Sequence, residues 1–239
     1  MRCIFLDRDG TICLDKTYNN KIEDLEIIGW NRLIYNLHRI KRLGFYIIVI
    51  SNQGGVSLGY STEQDVIKFN DELNRKLNYT IDDFFFCPHA KTDNCDCRKP
   101  KTGLIELALK KYKINTELSW FIGDKAIDIE TGKNIGAKTI LVLTGHGRNE
   151  LKNSDPDFVV EDINQALLII EKITTETNKD IEIIYGRSNG IKLQGVIDNR
   201  LKGKYSKMFE KIKIDSNDVE GFFIDHSLPV DFIIGTREN

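Results

Sequence analysis

The chain has 239 residues, of which 41% are hydrophobic and 29% charged, with 4 prolines and 18 glycines. This composition excludes disordered, collagen-like and mini-protein classes and leaves room for one large or two small domains around a sizeable core. Lysine and arginine together number 34 against 36 acidic residues, a net charge of -2. No global basic field exists to hold a nucleic acid or an anionic membrane, so any phosphate binding must rest on a few placed cations.

The apolar stretches at residues 45–50 and 139–143 fall far short of the roughly 20 residues that span a bilayer. The N-terminal segment meets charge at Asp7 after four apolar residues and carries no small-residue cleavage site, so a cytoplasmic location is expected. In that compartment disulfides are disfavoured. Three of the five cysteines (Cys87, Cys95, Cys97) cluster in sequence and suggest a metal site instead.

In chain order, residues 3–6 form an apolar run that ends abruptly at Asp-Arg-Asp-Gly, the pattern of a buried strand emptying into a polar turn. Residues 30–43 place Leu33, Ile34, Leu37, Ile40 and Leu43 at helical spacing, Gly44 stops the helix, and 45–50 reads as a fully buried strand. Ser61 or Thr62 caps a helix to about Leu77, residues 84–86 are a short strand, and 101–112 are helical. Buried strands at 119–122 and 138–143 flank a helix at 126–134, and a further helix covers about 162–174.

Strands alternating with helices at this spacing predict an α/β fold, a Rossmann-like, mostly parallel sheet with helices on both faces and ligands beyond the carboxyl ends of the strands. Asp7/Asp9, Ser51-Asn52-Gln53 and Gly123-Asp124 all stand at such ends, so they should share one rim. A polar stretch from Thr175 to Asp180 reads as a linker, dividing residues 1–175 from an extension at 176–239. In the extension, 181–185, 221–224 and 230–234 read as strand-like, 191–193 alternates, and 204–213 has a helical pattern, a small α+β unit without a catalytic motif. At that size it folds alone only marginally and is expected to pack on the first domain or on another chain.

Asp7-Arg8-Asp9-Gly10-Thr11 sets two carboxylates two residues apart at a strand end, a pair that attracts Mg²⁺, and Gly123-Asp124-Lys125-Ala126-Ile127-Asp128 adds carboxylates at the same rim. Cys87-Pro88-His89 with Cys95-Asp96-Cys97 offers three thiolates and an imidazole, a set suited to tetrahedral structural Zn²⁺. Cys97 directly precedes Arg98-Lys99, so a metal there would pin two cations. Cys3 reads as a small core residue, Cys13 has no assigned role, and His38, His146 and His226 read as ordinary histidines.

The segments Phe5-Leu6-Asp7-Arg8-Asp9-Gly10-Thr11, Val49-Ile50-Ser51-Asn52-Gln53, Cys97-Arg98-Lys99-Pro100 and Ile122-Gly123-Asp124-Lys125 resemble, in order and spacing, the haloacid dehalogenase superfamily of aspartate-nucleophile phosphatases. More narrowly, with the Cys-Pro-His loop, they resemble its D-glycero-D-manno-heptose 1,7-bisphosphate phosphatases and histidinol-phosphate phosphatases. The resemblance covers about residues 1–170.

It implies Asp7 as nucleophile and Asp9 as acid and base with its side chain off the metal. It also implies Mg²⁺ on the Asp7 carboxylate, the Asp9 carbonyl and Asp124, with Ser51 and Lys99 holding the transferring phosphoryl oxygens. Asp128 would orient Lys99 or the metal waters. Substrate contacts are implied for Asp15, Lys16, Thr17, Tyr18, Ser51, Asn52, Gln53, Gly54, Arg98, Lys99 and Lys125, with Arg98 able to grip a second phosphate bidentately.

Ser51 stands where Thr is common in the heptose enzymes, Gly54 where Ser is common, Ile28-Gly29 where Pro-Gly is usual, and Leu58 where an Arg often precedes Gly. The change at Leu58 removes a phosphate-binding cation. The connections leave no room for a large cap, which suits a small phosphorylated metabolite.

The expected activity is Mg²⁺-dependent phosphatase action on the 7-phosphate of D-glycero-D-manno-heptose 1,7-bisphosphate, in making nucleotide-activated heptose, with histidinol phosphate as the alternative substrate. An alternative of another class is a zinc-stabilised scaffolding module. That module would recruit a pathway partner through residues 176–239, and in either case the extension would offer a surface for dimerisation or a pathway partner.

Overall fold

A computed structural model of the protein describes residues 1–16, 18, 21–175, 181–188 and 191–198. Six strands form one parallel sheet: β1 (Arg2–Leu6), β2 (Phe45–Asn52), β3 (Asp83–Cys87), β4 (Trp120–Gly123), β5 (Lys138–Val142) and β6 (Phe158–Val160), in the order β3-β2-β1-β4-β5-β6. Helices α1 (Trp30–Arg42), α2 (Glu63–Lys76), α3 (Gly103–Lys111), α4 (Ala126–Asn134), the short α5 (Gly147–Glu150) and α6 (Ile163–Thr175) make the connections. The expected α/β architecture is therefore the observed one.

Because successive strand side chains point to opposite faces, β1 feeds two cores at once. Ile4 and Leu6 join Ile47, Val49 and Ile122 under α1, α2 and α6, whereas Cys3 and Phe5 join Ile48, Ile50 and Phe121 under α3. All five strand residues of that second set are buried, which explains why β1, β2 and β4 read as unbroken apolar runs.

A local signal sets the start of α2. Thr62, not Ser61, caps α2: its hydroxyl accepts from the Asp65 N–H at 3.2 Å, and its own N–H donates to Asp65 Oδ2 at 2.9 Å. Helix α3 is shorter than the expected 101–112 because Pro100 and Lys101 belong to a turn in which the Lys101 N–H donates to the Arg98 carbonyl. Strand β6 was not expected from the sequence; at three residues it is too short to show a periodicity of its own.

One polar contact sits inside the larger core. Asn36 of α1 donates to Asn164 of α6 at 3.0 Å, both side chains being buried. Asn164→Ala leaves the Asn36 amide without that acceptor and is expected to cost about 1–3 kcal/mol, read as a lower urea midpoint at unchanged slope.

No cap domain is inserted among the described residues. The segments around the sheet's carboxyl edge hold only short turns, such as Ile22–Asp24 and Lys91–Asp93. In the extension, β7 (Ile181–Ser188) and β8 (Ile191–Asp198) pair antiparallel as a hairpin, both longer than the expected strand-like pieces. Thr175, expected to open the linker, ends α6 instead, and the rest of the expected linker at 176–180, the strands at 221–224 and 230–234 and the helix at 204–213 lie outside the described residues.

Candidate active site

The strand order reverses between β1 and β4, because β2 and β3 extend the sheet on one side and β5 and β6 on the other. A crevice at the carboxyl end of the two neighbours is where such sheets bind ligands. Asp7 follows β1 and Asp124 follows β4, and an Asp7 N–H bond of 2.9 Å to the Ile122 carbonyl ties the two strand ends together.

Asp7, Asp124 and Asp128 each present a carboxylate oxygen within 4.8 Å of the others, all buried. Lys99, only 3% exposed, enters this cluster: its Nζ lies 2.6 Å from Asp7 Oδ1, 2.7 Å from Asp128 Oδ1 and 2.6 Å from the Ile50 carbonyl oxygen. Burial alone would lower the Lys99 pKa, but Asp128 and Asp7 outweigh it and hold the ammonium protonated. Asp128 also accepts the Lys125 N–H at 3.0 Å at the start of α4. Of the two roles expected for Asp128, the structure displays contact with Lys99.

Asp124 is fully buried, and its Oδ1 has no hydrogen-bond partner, while Oδ2 accepts the His146 N–H at 2.8 Å. Burial, and then the charge of Asp7, push its pKa up to about 8; burial likewise pushes Asp128 up to about 6 against the pull of Lys99. Gly10 (φ +91°) and Gly145 (φ +54°) crowd the Asp124 carboxylate so closely that a β-carbon on either would collide with it. Clustered carboxylates with an orphaned buried oxygen are a donor set that fits a hard divalent cation.

Asp9 lies beside this cluster and its side chain is engaged elsewhere. Arg8 Nε donates to its Oδ1 at 3.0 Å and Arg8 Nη2 to its Oδ2 at 3.0 Å, while Gln53 Nε2 donates to Oδ2 at 2.7 Å. Gln53 also reaches Ser51 Oγ at 2.6 Å, so Ser51, Gln53 and Asp9 form one polar string. Asn52 brackets the Lys99 backbone, accepting its N–H at 3.0 Å and donating to its carbonyl at 3.2 Å. Cys13, given no role from the sequence, is buried with its sulfur 3.6 Å from Asp9 Oδ1.

The remaining expected contacts are spread around the rim. Lys125 Nζ pairs with Asp15 Oδ2 at 3.1 Å, and the carboxylates of Asp7, Asp124 and Asp15 outweigh desolvation to raise its pKa. Tyr18 stacks on Tyr60 with ring centroids 4.9 Å apart and lies against Gly55. Lys16 pairs with Glu26 at 3.7 Å, outside the cluster, and Thr17 lies outside the described residues. His146 is a surface side chain, yet it is not incidental to the site: Nε2 lies 3.3 Å from Asp15 Oδ2.

Arg98 is half-buried beside Gly54 and donates through Nη1 to the His89 carbonyl at 3.0 Å. Behind it, the sulfurs of Cys87, Cys95 and Cys97 are 3.2–3.5 Å apart, and His89 Nδ1 lies 3.2 Å from Cys97 and 3.7 Å from Cys87. Tetrahedral Zn²⁺ with bonds of about 2.3 Å to sulfur and 2.0–2.1 Å to nitrogen requires edges of about 3.5–3.8 Å. The four donors suit such an ion in type and number, and all lie within 4.8 Å of one another, the separations above, 3.2–3.7 Å, running slightly shorter than those edges.

A family model described as HAD-hydrolase-like matches residues 96–166. A Helicobacter pylori protein named D-glycero-beta-D-manno-heptose-1,7-bisphosphate 7-phosphatase is 35% identical over 175 residues, covering 71% of this chain and 98% of the relative. The chain belongs to the haloacid dehalogenase superfamily of phosphatases. A relative from Photorhabdus laumondii, whose name specifies the alpha anomer, is 38% identical over 63% of this chain and 87% of its own length.

Among solved structures, a D,D-heptose 1,7-bisphosphate phosphatase from B. bronchiseptica, complexed with magnesium and phosphate, aligns with a TM-score of 0.65 and 25% identity, covering 74% of this chain and all of that one. This phosphatase is accordingly a phosphoric monoester hydrolase with an HAD-like fold. No helix among its described residues is long and apolar enough to cross a membrane.

Arg8 and Asn70 were not singled out from the sequence as part of the site. Their signal was nonetheless present: Asn70 interrupts the apolar stripe of α2 formed by Val66, Phe69 and Leu73, and Arg8 sits between two carboxylates. A polar residue on a buried stripe implies a buried polar partner.

Proposed function

We propose that this phosphatase removes the 7-phosphate from D-glycero-D-manno-heptose 1,7-bisphosphate through a phosphorylated Asp7. The observation that carries the reading is the buried Asp7–Lys99 pair at the β1/β4 crevice, beside the orphaned Asp124 oxygen. The names of the relatives support the substrate, and because they include both anomers they leave the anomer to experiment.

Asp7 attacks phosphorus, forming an oxygen–phosphorus bond as the bond to the sugar oxygen breaks, and Asp9 passes its proton to the departing alkoxide. Asp9 then takes a proton from water, whose oxygen attacks phosphorus; the bond to Asp7 breaks and inorganic phosphate leaves. Lys99 neutralises charge on Asp7 and on the phosphoryl oxygens, and the Ser51 hydroxyl orients those oxygens. Mg²⁺ would be held by the Asp7 carboxylate, the Asp9 carbonyl and Asp124, and when bound it offsets repulsion between the nucleophile and the anionic ester.

Arg98 would read the distal phosphate, and a structural Zn²⁺ on Cys87, His89, Cys95 and Cys97 would set its position through the His89 carbonyl. Residues 1–175 form the proposed catalytic unit, and the H. pylori relative, matched over 98% of its own length by 71% of this chain, has about the length of such a unit. A role for 176–239 in dimerisation or partner binding remains part of the proposal, and the active unit acts on a small metabolite in the cytoplasm.

Phosphate release from the two anomers of the bisphosphate, measured beside histidinol phosphate at matched concentrations with Mg²⁺, tests the substrate. A preference in kcat/KM of at least about tenfold for a bisphosphate, the discrimination that 1.4 kcal/mol supplies, is expected; equal or reversed preference overturns the assignment. Removing zinc with a chelator is expected to lower kcat/KM for the bisphosphate by about 10–100-fold, recoverable with Zn²⁺ and not with Mg²⁺ alone. Full activity in protein shown by metal analysis to be zinc-free would refute the structural role.

A further inference from the structure

Arg8 is 1% exposed, the largest of the fully buried side chains, and lies between the two carboxylates of the Asp-Arg-Asp turn. Burying a guanidinium is costly unless every part of it is answered. Two of its nitrogens grip Asp9 in a two-pronged bond, 3.0 Å on each side, while Nη1 donates to Asn70 Oδ1 at 2.9 Å and the guanidinium carbon lies 4.5 Å from the Phe69 ring centroid. Phe69 and Asn70 are neighbours on the buried face of α2. Asp9 is thus anchored through Arg8 to a helix that contributes no carboxylate to the cluster.

A fork-shaped donor fixes the plane of a carboxylate, whereas a point charge fixes only its neighbourhood. The distinction matters here because Asp9 stands two residues from Asp7, at the edge of a site built to attract a cation. A freely rotating carboxylate there could turn toward that cation and cease to be a proton carrier. We propose that Arg8, seated on Phe69 and Asn70, is a positioning residue that locks the Asp9 carboxylate in the orientation for proton transfer to the leaving group and away from the metal cradle. The inference rests on the reading of Asp9 as acid and base.

The test is the dependence of kcat/KM on leaving group, measured with the full chain and Mg²⁺ over a series from alkyl phosphates to aryl phosphates with acidic phenols. An alkoxide needs a proton as it departs and an acidic phenolate does not, so loss of acid catalysis is felt only at the alkyl end. Arg8→Met is expected to lower kcat/KM about 10²-fold for alkyl phosphates and less than about fivefold for the most acidic phenols, paralleling Asp9→Asn. In the double variant, Arg8→Met is expected to add little to Asp9→Asn, because both act on one step.

If Asp9→Asn steepens the dependence while Arg8→Met lowers all substrates alike, Arg8 is merely structural and the proposal falls, with the role of Asp9 intact. If Asp9→Asn itself shows no leaving-group dependence, the acid–base reading fails and the proposal with it. Should Arg8→Met not fold by circular dichroism, Arg8→Lys keeps the charge and loses the fork; an unchanged slope in that variant overturns the proposal, and a steepened one supports it.

Discussion

Asp7→Asn is expected to reduce phosphate release by roughly 10⁴-fold or more, since the amide is no nucleophile and the remaining residues cannot supply a covalent route. The variant should stay folded. Asn is isosteric with Asp, and Lys99 keeps its 2.7 Å contact with Asp128 and its bond to the Ile50 carbonyl. One of three crowded carboxylates also disappears, which relieves the repulsion that contributes to the raised pKa of Asp124. The measurement is phosphate release beside a thermal melt, with mass spectrometry of acid-quenched wild-type protein to detect one added phosphoryl group. Release at the wild-type rate by Asp7→Asn would eliminate this residue as nucleophile.

Lys99→Met is expected to damage stability and chemistry together. Lys99 is the buried cation bridging Asp7 and Asp128, so its loss leaves two buried carboxylates without the ammonium that now faces both. Breaking a buried pair from one side costs about 3–5 kcal/mol, far more than the pair's net worth, because the partner charges remain desolvated. A fixed cation on a transferring phosphoryl group is worth roughly 10³–10⁵ in rate, and the same loss is expected in kcat. Urea unfolding without substrate reads the first effect, and saturating phosphate release by the folded fraction reads the second. A variant with unchanged urea midpoint would show that the carboxylates find other partners, and one with unchanged kcat would remove Lys99 from the chemistry.

Both expectations turn on residues whose roles the family resemblance implied and whose contacts only the structure shows. Lys99 by itself resembles a solvated surface cation; the structure buries its ammonium between Asp7, Asp128 and the Ile50 carbonyl, while Asn52, a strand-end residue, clasps its backbone from both sides. Arg98 likewise gains meaning from its bond to the His89 carbonyl, which couples a candidate substrate contact to the cysteine cluster. His146 shows the opposite pattern, a side chain ordinary in exposure whose main-chain N–H holds a site carboxylate.

Strands β1 to β5, the polar residues at the carboxyl ends of β1, β2 and β4 and the Cys₃His donor set were legible in the sequence, since each depends on periodicity or spacing within a few residues, whereas the three-residue β6 was not. The shared rim of Asp7 and Asp124 was expected from the strand ends; the tertiary structure added that β1 and β4, with more than a hundred residues between them, are hydrogen-bonded neighbours where the strand order reverses. It alone also folded Arg8 back onto Asp9 against α2. Pairing across such distances is set by the shared burial of two sheet faces and by partners for buried charge, quantities that no local window of sequence contains.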